Sequence, residues 1–186
     1  SEMCIRDRTK GAFSLIKAFC SIASKYPNIN LIMIGGGKIR AAQSLIDDQY
    51  RGRIKFTGYL SREEIKQKIS SSLFCAIPSY FENFSLAAME VMACGKALIY
   101  TNRASGPELI NDKVNGLLVD PENVCQIASA IEFLLNNLEQ CQQMGLEAQK
   151  TILHTFSENV VMEQIENYYK SCINSHRKND TSSNNK

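Results

Sequence analysis

The fold is decided by the stretch Leu73-Phe-Cys-Ala-Ile77-Pro-Ser-Tyr-Phe-Glu82-Asn-Phe-Ser-Leu86-Ala-Ala-Met-Glu90-Val-Met-Ala93. Its first part, 73–77, is a continuous apolar run of the kind that forms a buried strand, and 86–93 read as a helix. The loop between them therefore lies at the carboxyl end of a strand. Open α/β sheets bind their ligands at that edge.

Strand-like and helix-like segments alternate along most of the chain, which predicts a doubly wound, Rossmann-like parallel sheet of the α/β class. A capping box is predicted where Ser61 precedes Glu64, and Asp120 is expected to cap the helix that follows it. The predicted strands are 29–34, 53–57, 73–77, 97–101 and 116–119, and the predicted helices are 11–26, 39–49, 61–70, 86–93, 124–136, 138–154 and 157–173.

Two carboxylates, Glu82 and Glu90, stand eight positions apart around the predicted start of a helix. The amides of Phe84, Ser85 and Leu86 are expected to be unsatisfied donors at that end, whose partial positive charge suits a diphosphate. Carboxylates can accept hydrogen bonds from sugar and ribose hydroxyls, so the arrangement predicts a nucleotide-sugar site. The alternative is that Glu82 only complements the helix dipole and Glu90 is an ordinary solvated residue.

The Glu-x7-Glu spacing and three segments downstream of it, 93–99, 105–110 and 115–121, resemble the retaining, GT-B-fold glycosyltransferases of family 4, the glycosyl transferases group 1. The resemblance covers residues 9–173. It implies the C-terminal, donor-binding half of an enzyme that transfers a hexose-type sugar from a nucleoside-diphosphate sugar to a glycan or lipid-linked acceptor. That transfer would retain anomeric configuration and need neither metal nor cofactor, and a separate N-terminal domain would bind the acceptor.

The same resemblance implies roles for individual residues. Glu82 would be the catalytic-site carboxylate that orients the hexose, and Glu90 would bind the ribose. Lys10 would contact the diphosphate from the start of the first helix. The remaining donor-binding residues implied by the resemblance are Gly36 in the glycine loop, Tyr59 and Leu60 beside the nucleobase, and Asn83, Phe84, Ser85 and Leu86 at the helix start. The turn 105–108 is expected to shape the loop beside the donor.

Other enzyme and binding classes compete with this interpretation. A sugar-nucleotide epimerase of the same fold would lack this Glu-x7-Glu context. A phosphorylase would carry a lysine for pyridoxal phosphate in a distinct motif, which this sequence does not show. A non-catalytic nucleotide-binding module would bind the donor and transfer nothing. The glycines at 35–37 do not form G-x-G-x-x-G, and Thr57-Gly58 stand where a dinucleotide-binding strand would end in an acidic residue.

Composition narrows the remaining classes. The net charge is +2 and 22% of residues are charged, so no strong nucleic-acid-binding field is indicated. The seven cysteines form no C-x-x-C pair, which argues for a reducing compartment and against a zinc or disulfide framework. No apolar run approaches the roughly 20 residues of a membrane span. We expect no metal site, a cytoplasmic location and, for the full-length enzyme, peripheral association with the inner face of the membrane.

The two ends of the chain look different from the rest. Residues 1–8 resemble a translated sequencing adapter and are expected to lie outside the native domain. On that interpretation the domain, 9–173, lacks the first strand of an order 3-2-1-4-5-6, and the apolar residues Met3–Ile5 could fall into the empty position. Residues 174–186 are polar without apolar periodicity and are expected to be disordered.

Overall fold

The structure, a computed structural model, describes residues 10–36 and 39–183, with side chains as far as residue 173. The helices are α1 Ala12–Ile22, α2 Ile39–Gln43, a 3₁₀ helix Asp48–Arg53, α3 Arg62–Ser71, α4 Leu86–Ala93, α5 Gly106–Leu109, α6 Val124–Asn136, α7 Leu138–Thr155 and α8 Glu158–Ser183. The strands are β1 Leu31–Ile34, β2 Ile54–Gly58, β3 Phe74–Ile77, β4 Ala97–Thr101 and β5 Leu117–Val119.

All pairings between these strands are parallel, as the alternating pattern predicts. One sheet has the order β1-β2 and the other has the order β3-β4-β5. In the second sheet Ile77 is the register partner of Tyr100, so β3 and β4 end at the same edge. Parallel strands need helical crossovers, and α4 joins β3 to β4 in this way.

The predicted strand order places β1 and β3 on either side of a first strand. Among the described residues, β1 pairs with β2 and β3 pairs with β4. The strand predicted at Met3–Ile5 falls within residues 1–9, which lie outside the described part of the chain.

The hydrophobic core lies around the sheets, within the first of two compact units, Ser1–Gln149 and Lys150–Lys186. Every residue of β4 is buried, which fits its mainly apolar composition. The buried faces of α1 and α6 contribute side chains such as Ile16 and Leu134, both with 0% exposure. The second unit contains the end of α7 and all of α8.

Local hydrogen bonds explain why the predicted end of α2 and the predicted cap of α6 were wrong. The predicted helix 39–49 ends at Gln43, because the Asp47 side chain accepts from the Gln49 amide and starts the 3₁₀ helix instead. Asp120 does not cap α6. Its carboxylate accepts from the Glu122 amide at 3.0 Å, and Asn123 is the capping residue.

Among the other helices, α1 ends at Ile22 and not at the predicted Tyr26, and α5 was not predicted. The capping box at the start of α3 is confirmed, with Ser61 and Glu64 bonding each other's backbone amides. The last helix differs, since α8 runs to Ser183 and not to the predicted end at Ile173. Residues 174–183 are therefore helical where we expected disorder, and this stretch contains neither proline nor glycine to end the helix.

Candidate functional site

The candidate site is built on the start of α4, where Ser85 is the N-terminal cap. Its buried hydroxyl accepts from the Ala88 amide at 3.3 Å, which fixes the first turn. Pro78 to Phe84 form the loop that leads into this cap from the carboxyl end of β3. The positive end of α4 therefore lies at the edge of the sheet where the sequence predicts anion binding.

Glu82 lies in this loop and is held from several sides. The Lys10 ammonium lies 2.5 Å from Glu82 Oε1, and the Ser79 hydroxyl donates to the same oxygen at 3.1 Å. The Ser105 hydroxyl donates to the main-chain carbonyl of Glu82 at 3.2 Å. The side chain of Glu82 is 12% exposed and that of Lys10 is 33% exposed. Both charged groups therefore have an accessible face.

Lys10 reaches Glu82 because Gly11 presses the start of α1 against the end of β3. Gly11 has a φ of 68°, in the left-handed region, and an added Cβ would lie 1.7 Å from the Pro78 carbonyl oxygen. One turn later, the Ser14 hydroxyl hydrogen-bonds the Tyr80 hydroxyl at 3.0 Å. Glycine at position 11 is thus what allows the two segments to meet.

Sequence reasoning missed a second network beside this loop. The Arg103 guanidinium lies over the Tyr80 ring, 5.8 Å from its centroid, and pairs with Asp120 at 2.8 Å and Glu122 at 3.0 Å. The hydrogen bond with Glu122, followed by the negative charge of Asp120, raises the pKa of Arg103. Tyr80 and Arg103 follow different strands, so no local pattern links them.

The turn at 105–108 contacts the same loop. Gly106 packs against the end of β4, where an added Cβ would lie 1.9 Å from the Thr101 carbonyl oxygen. This close contact brings Ser105 within reach of Glu82, while the Glu108 side chain is exposed. The turn thus shapes the Glu82 loop through Ser105 and not through its acidic residue.

Glu90 lies one turn beyond the start of α4. Its carboxylate is 29% exposed and lies 3.9 Å from the guanidinium of Arg62, which is itself 88% exposed. At the start of the same helix the apolar side chains of Phe84 and Leu86 are 44% and 64% exposed, and Asn83 is also exposed. Large apolar groups are thus accessible around the helix start.

Gly36 and Tyr59 meet at the carboxyl ends of β1 and β2. The Gly35 amide donates to the Gly58 carbonyl at 3.0 Å, and a Cβ on Gly36 would lie 2.5 Å from the Tyr59 ring. The Tyr59 ring is 62% exposed, and Leu60 after it is half-buried. Gly36 therefore lets an accessible aromatic ring lie against the backbone of the glycine loop.

Within residues 10–36 and 39–183, no group of three or more histidine, cysteine or acidic side chains is arranged to hold a metal ion. The cysteines of this part of the chain are free thiols. None of the helices in the described ranges is both long and apolar enough to cross a membrane.

The sequence profile of one known family, described as glycosyl transferases group 1, matches residues 6–151. The chain belongs to this family. Over 163 residues, the chain is 27% identical to an uncharacterised glycosyltransferase of Methanocaldococcus jannaschii. That match covers 87% of this chain and 42% of the relative, so the chain spans less than half of that relative's length.

Solved structures with a similar fold agree with this family assignment. The C-terminal domain of a group 1 family protein from Francisella tularensis superposes with a TM-score of 0.73 at 25% identity, covering 82% of each chain. The Anabaena protein HepE, solved in complex with UDP-glucose, superposes with a TM-score of 0.78 at 22% identity, covering 90% of this chain and 47% of HepE. The fold is that of the Rossmann-like, C-terminal half of a GT-B glycosyltransferase.

Proposed function

We propose that this domain binds a nucleoside-diphosphate hexose and presents its sugar for transfer, with retention of configuration, to a glycan or lipid-linked acceptor. The acceptor would be held by an N-terminal domain of the full-length enzyme, which would work in the cytoplasm at the inner face of the membrane. The observation that carries the proposal is the Lys10–Glu82 pair beside the start of α4, which combines a cation, a helix N-terminus and a sugar-binding carboxylate.

The diphosphate is assigned to the α4 N-terminus and Lys10. Main-chain amides around Ser85 supply partial positive charge, and the Lys10 ammonium supplies a full one within the same loop region. Both groups favour the diphosphate, which gains a further negative charge when the bond between the sugar and its oxygen breaks and the electron pair stays with the leaving group. They can therefore stabilise the leaving group electrostatically, which is the task a metal performs in other enzymes.

The sugar and ribose are assigned to the two carboxylates. Glu82 is accessible on one side and fixed by Ser79 on the other, so it can accept hydrogen bonds from hexose hydroxyls without changing its rotamer. Glu90 is more accessible and would accept from the ribose. We assign Glu82 the role of positioning the hexose, because its hydrogen bonds suit orientation of the substrate.

The nucleobase is assigned to the surface formed by Gly36, Tyr59 and Leu60. The close Gly36–Tyr59 contact leaves backbone groups and an exposed ring together at the ends of β1 and β2. HepE was crystallised with UDP-glucose, and its likeness to this fold makes UDP-sugars the first donors to test. Asn83, Phe84 and Leu86 would line the opposite side of the donor.

Calorimetric titration of the chain with UDP, GDP, ADP and UDP-glucose tests the proposal. We expect measurable binding of at least one of these ligands and a loss of about tenfold on Lys10→Met, because a charged hydrogen bond to the diphosphate is removed. The matched control is Lys25→Met, which breaks an exposed lysine–glutamate pair with Glu132 outside the proposed site.

Three results would contradict the proposal. Binding of none of the four ligands by the folded wild type would remove the donor assignment. Equal losses for Lys10→Met and Lys25→Met would remove the specific role of Lys10. Donor binding without any transfer by a longer chain that carries an acceptor domain would favour a non-catalytic nucleotide-binding module.

A further inference from the structure

Tyr100 has a buried hydroxyl that the proposed mechanism does not use. The residue lies near the carboxyl end of β4, opposite Ile77 in β3, and its exposure is 0%. Its hydroxyl has no hydrogen-bond partner among the described residues. Buried tyrosine hydroxyls nearly always have a partner, so this one requires an explanation.

The polar groups closest to this hydroxyl belong to the candidate site. Burial, followed by the charge of Glu82, raises the pKa of Tyr100, and the nearby hydroxyls of Ser105 and Ser85 lower it. Neither serine hydroxyl forms a hydrogen bond of ordinary geometry with the Tyr100 hydroxyl. Ser105 donates its own proton to the Glu82 carbonyl, so its oxygen can still accept one. Ser85 already accepts from the Ala88 amide.

Phenylalanine would fill the same space in β4 without burying an unsatisfied hydroxyl. A buried hydroxyl without a hydrogen bond destabilises the fold in one conformation. It can favour a second conformation in which it forms a hydrogen bond. The Glu82 loop offers that second arrangement, because its position depends partly on the Lys10–Glu82 contact. A bound diphosphate would compete for Lys10 and thereby release Glu82.

We propose that Tyr100 is a positioning residue of the donor site, whose hydroxyl donates to Ser105 when a nucleoside-diphosphate sugar binds. A chain of hydrogen bonds then runs from Tyr100 through Ser105 to the main chain of Glu82 and fixes the carboxylate against the hexose. The inference rests on the proposed function, because it needs a donor that displaces Lys10.

The test combines Tyr100→Phe, Ser105→Ala and the double variant in the full chain. For Tyr100→Phe we expect an unfolding midpoint equal to or above that of wild type without ligand, together with binding of UDP-glucose about threefold to tenfold weaker. The double variant should bind no more weakly than Ser105→Ala alone, because both substitutions break the same chain. Tyr26→Phe is the control, since that exposed hydroxyl bonds Asn136 elsewhere in the first unit.

The outcomes separate this inference from the proposed function. Failure of wild type to bind UDP-glucose or the nucleoside diphosphates UDP, GDP and ADP would overturn both. Normal wild-type binding with equal binding by Tyr100→Phe would overturn only the role of Tyr100. A lowered unfolding midpoint for Tyr100→Phe without ligand, with unchanged ligand-induced stabilisation, would show a purely structural hydroxyl and also overturn it.

Discussion

Lys10 Nζ and Glu82 Oε1 lie 2.5 Å apart although 72 positions separate the two residues in the chain. The pair joins the start of α1 to the loop before α4. Each member has a second use in the proposed site, Lys10 for the diphosphate and Glu82 for the hexose. On the proposed function, donor binding would exchange this contact for contacts with the ligand.

Glu82→Gln is expected to tighten binding of UDP while abolishing any preference for UDP-glucose over UDP. The neutral amide holds Lys10 less strongly and no longer repels the diphosphate. A partly exposed ion pair contributes about 1 kcal/mol at most, so the gain should be about fivefold or less. Calorimetry with both ligands measures it, and Glu132→Gln, which removes the partner of Lys25, is the control. Weaker UDP binding by Glu82→Gln would contradict the exchange.

Glu90→Gln is expected to weaken binding of a nucleoside-diphosphate sugar by about 1.5–3 kcal/mol, the range for hydrogen bonds to a charged group. Arg62→Gln breaks the 3.9 Å contact with Glu90 from its exposed side and should change the affinity little. Isothermal titration of the two variants compares them directly. Unchanged affinity for Glu90→Gln, in a protein with an unchanged unfolding midpoint, would exclude the ribose assignment.

Gly11→Ala is expected to destabilise the first unit by about 3 kcal/mol, because it combines left-handed backbone strain with a clash against the Pro78 carbonyl. It should also weaken donor binding by displacing Lys10. Gly52→Ala is the control, since nothing lies within 4 Å of its added Cβ. Urea unfolding of both variants measures the difference. Equal stabilities would show that α1 can begin without this close approach.

Removal of divalent cations is expected to leave binding of UDP-glucose unchanged, because Lys10 and the α4 N-terminus supply the positive charge. Titrations in excess EDTA and in magnesium or manganese make the comparison. The Lys10→Met variant is the positive control, because it shows how much UDP-glucose binding weakens when one positive charge is removed from the site. Binding that disappears in EDTA and returns with either cation would show that the diphosphate is held by a metal.

The free energy of unfolding is expected to fall between about pH 9 and pH 11 because of the Cys75 thiol. Desolvation raises the pKa of its thiol from 9.0 to about 11, with smaller effects from Ser72, Lys96 and Cys94. Below pH 9 both folded and unfolded chains keep the proton and the stabilisation is complete. Above it the unfolded thiol ionises first, so stability is lost until the folded thiol also ionises at about pH 11.

The measurement is urea unfolding of wild type and Cys75→Ala at pH 8.5 and pH 10.5. Because Cys75 is only half-buried as a whole residue, we expect wild type to lose about 1–2 kcal/mol more than the variant over this range. Cys125→Ala, which removes an exposed thiol, should behave like wild type. Identical pH dependence in wild type and Cys75→Ala would mean that the Cys75 thiol is not desolvated.

Much of the fold follows from patterns that are local in the chain. The ends of β4, α4 and α6 match the prediction residue for residue, because continuous apolar runs and amphipathic periods are read within a single element. Two of the errors arose where a polar side chain accepts a hydrogen bond from one of several neighbouring backbone amides, as Asp47 and Asn123 do. Such choices depend on small energy differences that residue type alone does not resolve.

The sequence by itself determined the α/β class and the helix that starts after Ser85. Through the family resemblance it also identified Lys10, Glu82 and Glu90 as candidate site residues. Only the tertiary structure decided that Lys10 reaches Glu82, and that Tyr100 lies unpaired beneath the same loop. These relationships join strand ends and helix starts far apart in sequence. They depend on the parallel register of β3 with β4 and on the close packing at Gly11, which no local pattern encodes.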